Sequence, residues 1–105
     1  MEVLKFGGTS LGTPEKMRSL IELITDNENV IVVLSAMAGT TDSLVDITNY
    51  LSKNNKDTAR ELTFALEQKY KQVVQQLFKT KEYKNKAMGM VYSHFNPILM
   101  FLNGF

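Results

Sequence analysis

Five consecutive apolar residues, Val30-Ile31-Val32-Val33-Leu34, four of them β-branched, constrain this chain more than any other feature. A run with no polar alternation suits a strand covered on both faces, and such strands belong to parallel sheets flanked by helices. A shorter run, Val3 to Phe6, stops at Gly7-Gly8, as a buried strand does on entering a tight turn. Between the two runs, Thr13-Pro14-Glu15 supplies an N-cap, a proline at the first helical position and a carboxylate in the first turn. Met17, Leu20, Ile21 and Ile24 then recur at helical spacing, which predicts a helix to about Thr25, with a polar turn over Asp26–Asn29. Beyond Leu34 lies a small-residue loop, Ser35 to Thr41, containing Gly39. Thr41 or Asp42 is placed to cap a second helix, whose buried stripe would be Leu44, Ile47, Thr48 and Leu51. Strand, helix, strand, helix over residues 1–51 predicts the βαβα portion of a parallel α/β sheet with a right-handed crossover.

Residues 52–105 read as a helical segment of the same domain. Ser52–Lys56 is a polar linker; Thr58 and Glu61 have the spacing of a capping box. Leu62, Leu66, Tyr70, Val73 and Leu77 trace one face of a long helix. From about Lys81 a further helical pattern runs through Met88, Val91, Tyr92, Phe95 and Leu99, with Pro97 placed to kink or end it. Two strands are too few for a stable sheet, so the domain is expected to be incomplete.

Composition removes several function classes. The formal net charge is +1, which favours neither nucleic acid nor an acidic membrane surface. Three basic and seven acidic residues fall in 1–51, against nine basic and four acidic in 52–105. The excess base, Lys53 to Lys86, is interleaved with Asp57, Glu61, Glu67 and Glu82, the pattern of a solvated helix face and not of a nucleic-acid stripe. With no cysteine, disulfides and thiolate metal sites are excluded, and no metal-ligand cluster is predicted. No secretory signal pattern opens the chain, and a cytoplasmic location is expected. Ala87–Phe105 has no Lys, Arg, Asp or Glu and approaches the roughly 20 residues of a bilayer span. Its Gly89, Ser93, His94, Asn96, Pro97 and Asn103 argue for burial by protein instead, and a homo-oligomer formed through this segment is one way to achieve it. His94, alone on an apolar stripe, is expected to be structural.

A strand that ends in two glycines and leads to a helix brings backbone N–H groups near a helix N-terminus, a geometry that suits an anion. Lys5, at the end of the strand, is placed to add a point charge, and Thr9 and Ser10 add hydroxyls. Neither familiar nucleotide fingerprint fits. Gly7 and Gly12 have Walker A spacing but Thr13-Pro14 follows, and the order Gly7, Gly8, Gly12 is not G-x-G-x-x-G. On these grounds alone, an anion site and an ordinary glycine turn both remain open.

Lys5-Phe6-Gly7-Gly8-Thr9-Ser10 resembles the opening motif of the aspartate kinase branch of the amino-acid kinase family. Val32-Val33-Leu34-Ser35-Ala36-Met37-Ala38-Gly39-Thr40-Thr41-Asp42 resembles the loop that follows that family's second strand. The resemblance covers residues 1–51 and weakens beyond. It implies transfer of the γ-phosphoryl of Mg-ATP to the side-chain carboxylate of L-aspartate, in the biosynthesis of lysine, threonine and methionine. It further implies that Lys5 stabilises the transferring group, that Gly7, Gly8, Thr9 and Ser10 bind phosphate, and that Ser35 and Thr41 contact aspartate. Ala36 and Gly39 would keep the loop slim. The plainer readings, Ser35 closing a strand and Thr41 capping a helix, stay beside these. The family's Gly-Glu motif, its later Arg- and Asp-containing motifs and most of the ATP and Mg²⁺ site are not seen in these residues. The isolated chain is therefore expected to be inactive. Another amino-acid kinase, a noncatalytic interaction module and a nucleic-acid binder using Lys53–Lys86 are the alternatives.

Overall fold

The computed structural model describes residues 1–25 and 29–104. Most of the Asp26–Asn29 turn expected from the sequence lies outside the described residues. The chain divides into two compact units, residues 1–40 and 41–105.

In the first unit, strand β1 (Glu2–Phe6) pairs in parallel with strand β2 (Val30–Leu34), in a register that runs from Glu2 opposite Val30 to Phe6 opposite Leu34. Gly8–Leu11 forms a 3-10 turn that packs on β1 and on helix α1 (Pro14–Thr25). The Thr13 side chain caps α1 as its sequence position predicts, its Oγ1 accepting from the Lys16 N–H at 3.2 Å. Leu11, Pro14 and Leu20 are buried.

The strands depart from expectation. Instead of being covered on both faces, they leave Val3 64%, Ile31 49%, Val33 43% and Leu34 56% exposed. The physical reason is supply: the described residues of this unit offer one helix to a sheet that needs cover on two faces. Of the α1 stripe, Ile21 likewise remains 52% exposed.

The second unit is helical: α2 (Thr40–Ser52, which begins at the unit boundary), α3 (Lys56–Leu77) and α4 (Lys81–Asn103). Its core joins Ile47 of α2, Ala59 of α3 and Leu102 of α4, with Leu51 and Leu62 packed against them. Helix α2 starts at Thr40, so Thr41 and Asp42 lie inside its first turn and neither is the cap. Its predicted stripe is half right: Ile47 is buried and Leu51 partly so, whereas Leu44 and Thr48 are exposed. Asn54, in the left-handed region at φ 59°, breaks the chain out of α2, with the Asn54 and Asn55 amides returning to Leu51 and Tyr50 carbonyls. Asn55 then caps α3 through Oδ1, which accepts from the Thr58 N–H at 3.3 Å. The Thr58–Glu61 capping box is thus replaced by a cap three residues earlier, because an asparagine side chain reaches the orphan amide first.

Helices α3 and α4 pack on one another through a short connection, with the Tyr70 and Phe95 rings 5.8 Å apart and tilted by 53°. Helix α4 continues through Pro97 to Asn103. Pro97 removes one ladder bond and is exposed, so its ring sits where no packing is disturbed. His94 is exposed, with Nδ1 2.8 Å from the Met90 carbonyl. A carbonyl only accepts, so the Nδ1 proton is fixed there. Arg60 pairs with Asp57 and Lys86 with Glu82 on exposed helix surface, as the solvated-face reading expects, whereas Lys71 reaches Glu67, a carboxylate that is buried and so departs from it. No described helix is long and apolar enough to cross a membrane.

Candidate functional site

The parallel ladder does the first work of assembly. Phe6 and Leu34 lie in register, and the next step, Ser35 N–H to the Phe6 carbonyl at 3.1 Å, ties the two strand ends together. The glycine turn after β1 and the small-residue loop after β2 are therefore neighbours.

How near they come is measured at Gly8. A Cβ on Gly8 would lie 3.4 Å from the Ala36 carbonyl oxygen and 3.5 Å from the Ala38 Cα. These are ordinary van der Waals distances, so the two loops lie in contact while a Cβ at Gly8 would still fit. Gly12 approaches the same loop, its built Cβ 3.7 Å from that of Ala38. Around Gly7 nothing lies within 4 Å, so the turn is open on that side. Gly39 has a conformational reason to be glycine: its φ is 84°. Gly39→Ala is expected to destabilise the first unit by about 1 kcal/mol or more through this strain, measured by urea denaturation.

Lys5 lies in β1 opposite Val33 and is exposed, forming no ion pair with any described residue. It shares a strand face with Val3, the face opposite Leu4 and Phe6. Gly7 starts the 3-10 turn, its carbonyl accepting from the Ser10 N–H at 3.1 Å. The 3-10 turn Gly8–Leu11 lies between β1 and the start of α1 at Pro14, where the sequence places it. Backbone amides at the start of that turn, not the α1 dipole, are the donors nearest the glycines.

Thr9 and Ser10 line an open cleft of about 300 Å³ with Lys16, Ser19 and Leu20 of α1. Lys5, Gly7, Gly8 and Ser35 are not part of that cleft's lining. Lys16 is the residue that sequence reading missed: the cap at Thr13 fixes it in the first turn beside the two hydroxyls. Ser35 is exposed, with Oγ donating to the Ala36 carbonyl at 3.1 Å. Thr41 is exposed in the first turn of α2 and is the first residue of the second unit. Among the described residues, no group of three or more His, Asp or Glu side chains is arranged to hold a metal ion.

The loops that follow β1 and β2 thus lie side by side at adjacent strand ends. A sequence profile of the amino acid kinase family matches residues 1–100. The chain belongs to the amino acid kinase family. It is 45% identical over 58 residues to the aspartokinase of Rickettsia prowazekii (strain Madrid E), covering 51% of this chain and 13% of that protein. Against the Chlamydia pneumoniae aspartokinase it is 36% identical over 75 residues, 71% of this chain and 16% of the relative. Against the bifunctional aspartokinase/homoserine dehydrogenase of Buchnera aphidicola subsp. Acyrthosiphon pisum (strain APS) it is 46% identical over 59 residues, 53% of this chain and 7% of the relative. This amino acid kinase chain thus spans a sixth or less of the length of these relatives.

Proposed function

We propose that the chain is the phosphate- and substrate-binding part of an aspartate kinase, which moves the γ-phosphoryl of ATP to the side-chain carboxylate of L-aspartate. The observation that carries this reading is the close approach of Gly8 to Ala36 and Ala38, which joins the two loops that resemble the aspartokinase motifs. The similarity to several aspartokinases supports the same substrate.

In this reaction a carboxylate oxygen bonds to the γ-phosphorus as the bond from that phosphorus to the β,γ-bridging oxygen breaks, and ADP leaves. The nucleophile is already an anion, so no general base is needed, and catalysis rests on position and charge. Lys5 neutralises charge growing on the transferring group, and the amides at Gly7 and Gly8 donate to its oxygens. Thr9 and Ser10 bind phosphate oxygens through their hydroxyls, with Lys16 adding a second positive charge at the cleft. Ser35 contacts the aspartate. Magnesium enters with the nucleotide as MgATP. A cytosolic location suits these substrates.

The 105-residue chain on its own is proposed to bind nucleotide weakly and not to turn over, since its turn is exposed and its cleft open. Titration with Mg-ATP, followed by amide NMR, is expected to shift the Gly7–Ser10 signals in the wild type and not in Lys5→Ala. Shifts confined elsewhere would remove the phosphate-turn reading. A coupled ADP-release assay on the chain with ATP, Mg²⁺ and aspartate is expected to stay at background. Turnover that vanished in Lys5→Ala would overturn the inactivity while keeping the site.

A further inference from the structure

The helical unit carries a cavity of about 190 Å³ that the proposed reaction does not use. It lies between α2 and α3, with Ser43 and Asp46 of α2 on one wall and Leu62, Ala65, Leu66 and Lys69 of α3 on the other. Helical spacing brings each set to one face. Ser43 and Asp46 stand at i and i+3, and the four α3 residues at i, i+3, i+4 and i+7. The same two helices share the core at Ile47 and Ala59, which holds the walls together.

The chemistry of the lining is mixed in an ordered way. Leu66, 5% exposed, makes an apolar floor with Leu62 and Ala65. The α2 wall offers a carboxylate and a hydroxyl. Asp46 forms no ion pair or side-chain hydrogen bond with any described residue, and the Ser43 hydroxyl forms no hydrogen bond with one. On open helix surface an unpaired carboxylate needs no explanation. Here it stands beside an apolar floor, with the Lys69 ammonium carried on the facing helix.

That lining excludes simple ligands. A lone anion is repelled by Asp46 and a lone cation by Lys69, while a hydrocarbon would cover polar groups without pairing them. A zwitterion with a short aliphatic body meets all three surfaces. Size points the same way. The volume corresponds to about six waters at ~30 Å³ each, room for a molecule of fewer than about ten heavy atoms, and it falls below the ~300 Å³ at which sites for larger ligands begin.

We infer that this cavity binds a free aliphatic α-amino acid, its ammonium on Asp46 and Ser43, its carboxylate on Lys69 and its side chain over the leucine and alanine floor. Both ends are held by charge-assisted hydrogen bonds, the stronger kind. The site lies wholly within the helical unit, so it stands independently of the phosphate-turn reading.

Titration of the full chain with L-leucine, followed by amide NMR, tests this. Saturable shifts are expected at Ser43, Asp46, Ala65 and Lys69, with half-saturation in the millimolar range. Isoamylamine, which is leucine without its carboxylate, and isocaproate, which is leucine without its amine, are each expected to bind at least tenfold more weakly. Asp46→Asn and Lys69→Met, both at exposed positions, are expected to weaken leucine binding at least tenfold with an unchanged helical circular dichroism spectrum. The two ends are then told apart: Asp46→Asn should leave the weak isocaproate shifts in place, and Lys69→Met those of isoamylamine. Ala65→Phe, which fills the floor from an exposed position, should abolish the shifts with all three probes. Leucine shifts that do not saturate or that spread over the whole surface, equal binding of leucine and isoamylamine, or leucine binding indifferent to Asp46→Asn and Lys69→Met would each overturn the proposal.

Discussion

Lys5→Ala is expected to lower the phosphoryl-transfer rate by about 10²–10³-fold in an aspartokinase whose opening segment is replaced by residues 1–51 of this chain. The Rickettsia prowazekii enzyme is a suitable recipient, since it matches this chain at 45% identity over 58 residues. The size of the effect follows from what the reaction lacks. With an anionic nucleophile and no proton to move, a lysine aimed at the transferring group carries a large share of the charge stabilisation. On the proposed role of Lys5, meeting charge that develops in the transition state, the loss should fall on kcat more than on the KM for aspartate. Lys5→Arg is not expected to restore the rate, since a planar fork does not reproduce a compact point charge. Steady-state kinetics with varied aspartate separates these terms; a change confined to KM would recast Lys5 as a binding residue only.

Leu102→Ala is expected to give the largest loss of stability, about 2–5 kcal/mol in the helical unit. Leu102 is 1% exposed and joins Ile47 and Ala59, so it is the point where α2, α3 and α4 share one core. A loss of that size is comparable with the whole stability of a small domain, roughly 5–15 kcal/mol. Urea denaturation followed at 222 nm should show the helical transition shifted far to low denaturant or lost. Leu44→Ala, at a 47% exposed position on α2, should change it by less than about 1 kcal/mol. Equal effects from the two variants would mean that the core is not centred on Leu102.

Leu102 also shows where sequence reading stopped. The α4 stripe was legible to Leu99, three residues before Leu102, but Pro97 made the helix end uncertain in a way only packing resolves. Ala59 was missed for a related reason. Thr58 and Glu61 have capping-box spacing, and the helix start moved to Asn55 only because that side chain reaches the Thr58 amide. Caps compete locally, and spacing alone does not rank them. The βαβ core was easier: a β-branched run, a glycine stop and a Thr-Pro-Glu helix start each admit few alternatives. What hydrophobicity did not reveal was that Val3, Ile31, Val33 and Leu34 remain exposed, since the pattern records a demand for cover and not its source.

For the candidate site, the arrangement of the residues was not legible in the sequence. Gly7 and Gly8 look alike in sequence, yet Gly8 lies against Ala36 and Ala38 while Gly7 faces open space. Lys16 had no motif to mark it, and its place beside Thr9 and Ser10 follows from the fold of the 3-10 turn onto α1. Thr41 was a proposed cap and a proposed substrate contact; the helix start at Thr40 removes the first role and leaves the second to experiment.

The most direct experiment is a substrate panel on the chimeric kinase carrying residues 1–51 of this chain. With ATP and Mg²⁺, ADP release should be supported by L-aspartate, with L-glutamate, N-acetylglutamate and carbamate near background, and phosphoryl transfer to the aspartate carboxylate should be visible as acyl phosphate trapped with hydroxylamine. A folded chimera that ignores aspartate, or one whose aspartate turnover is unchanged by Lys5→Ala, would contradict the assignment of these residues to an aspartyl-phosphate-forming site.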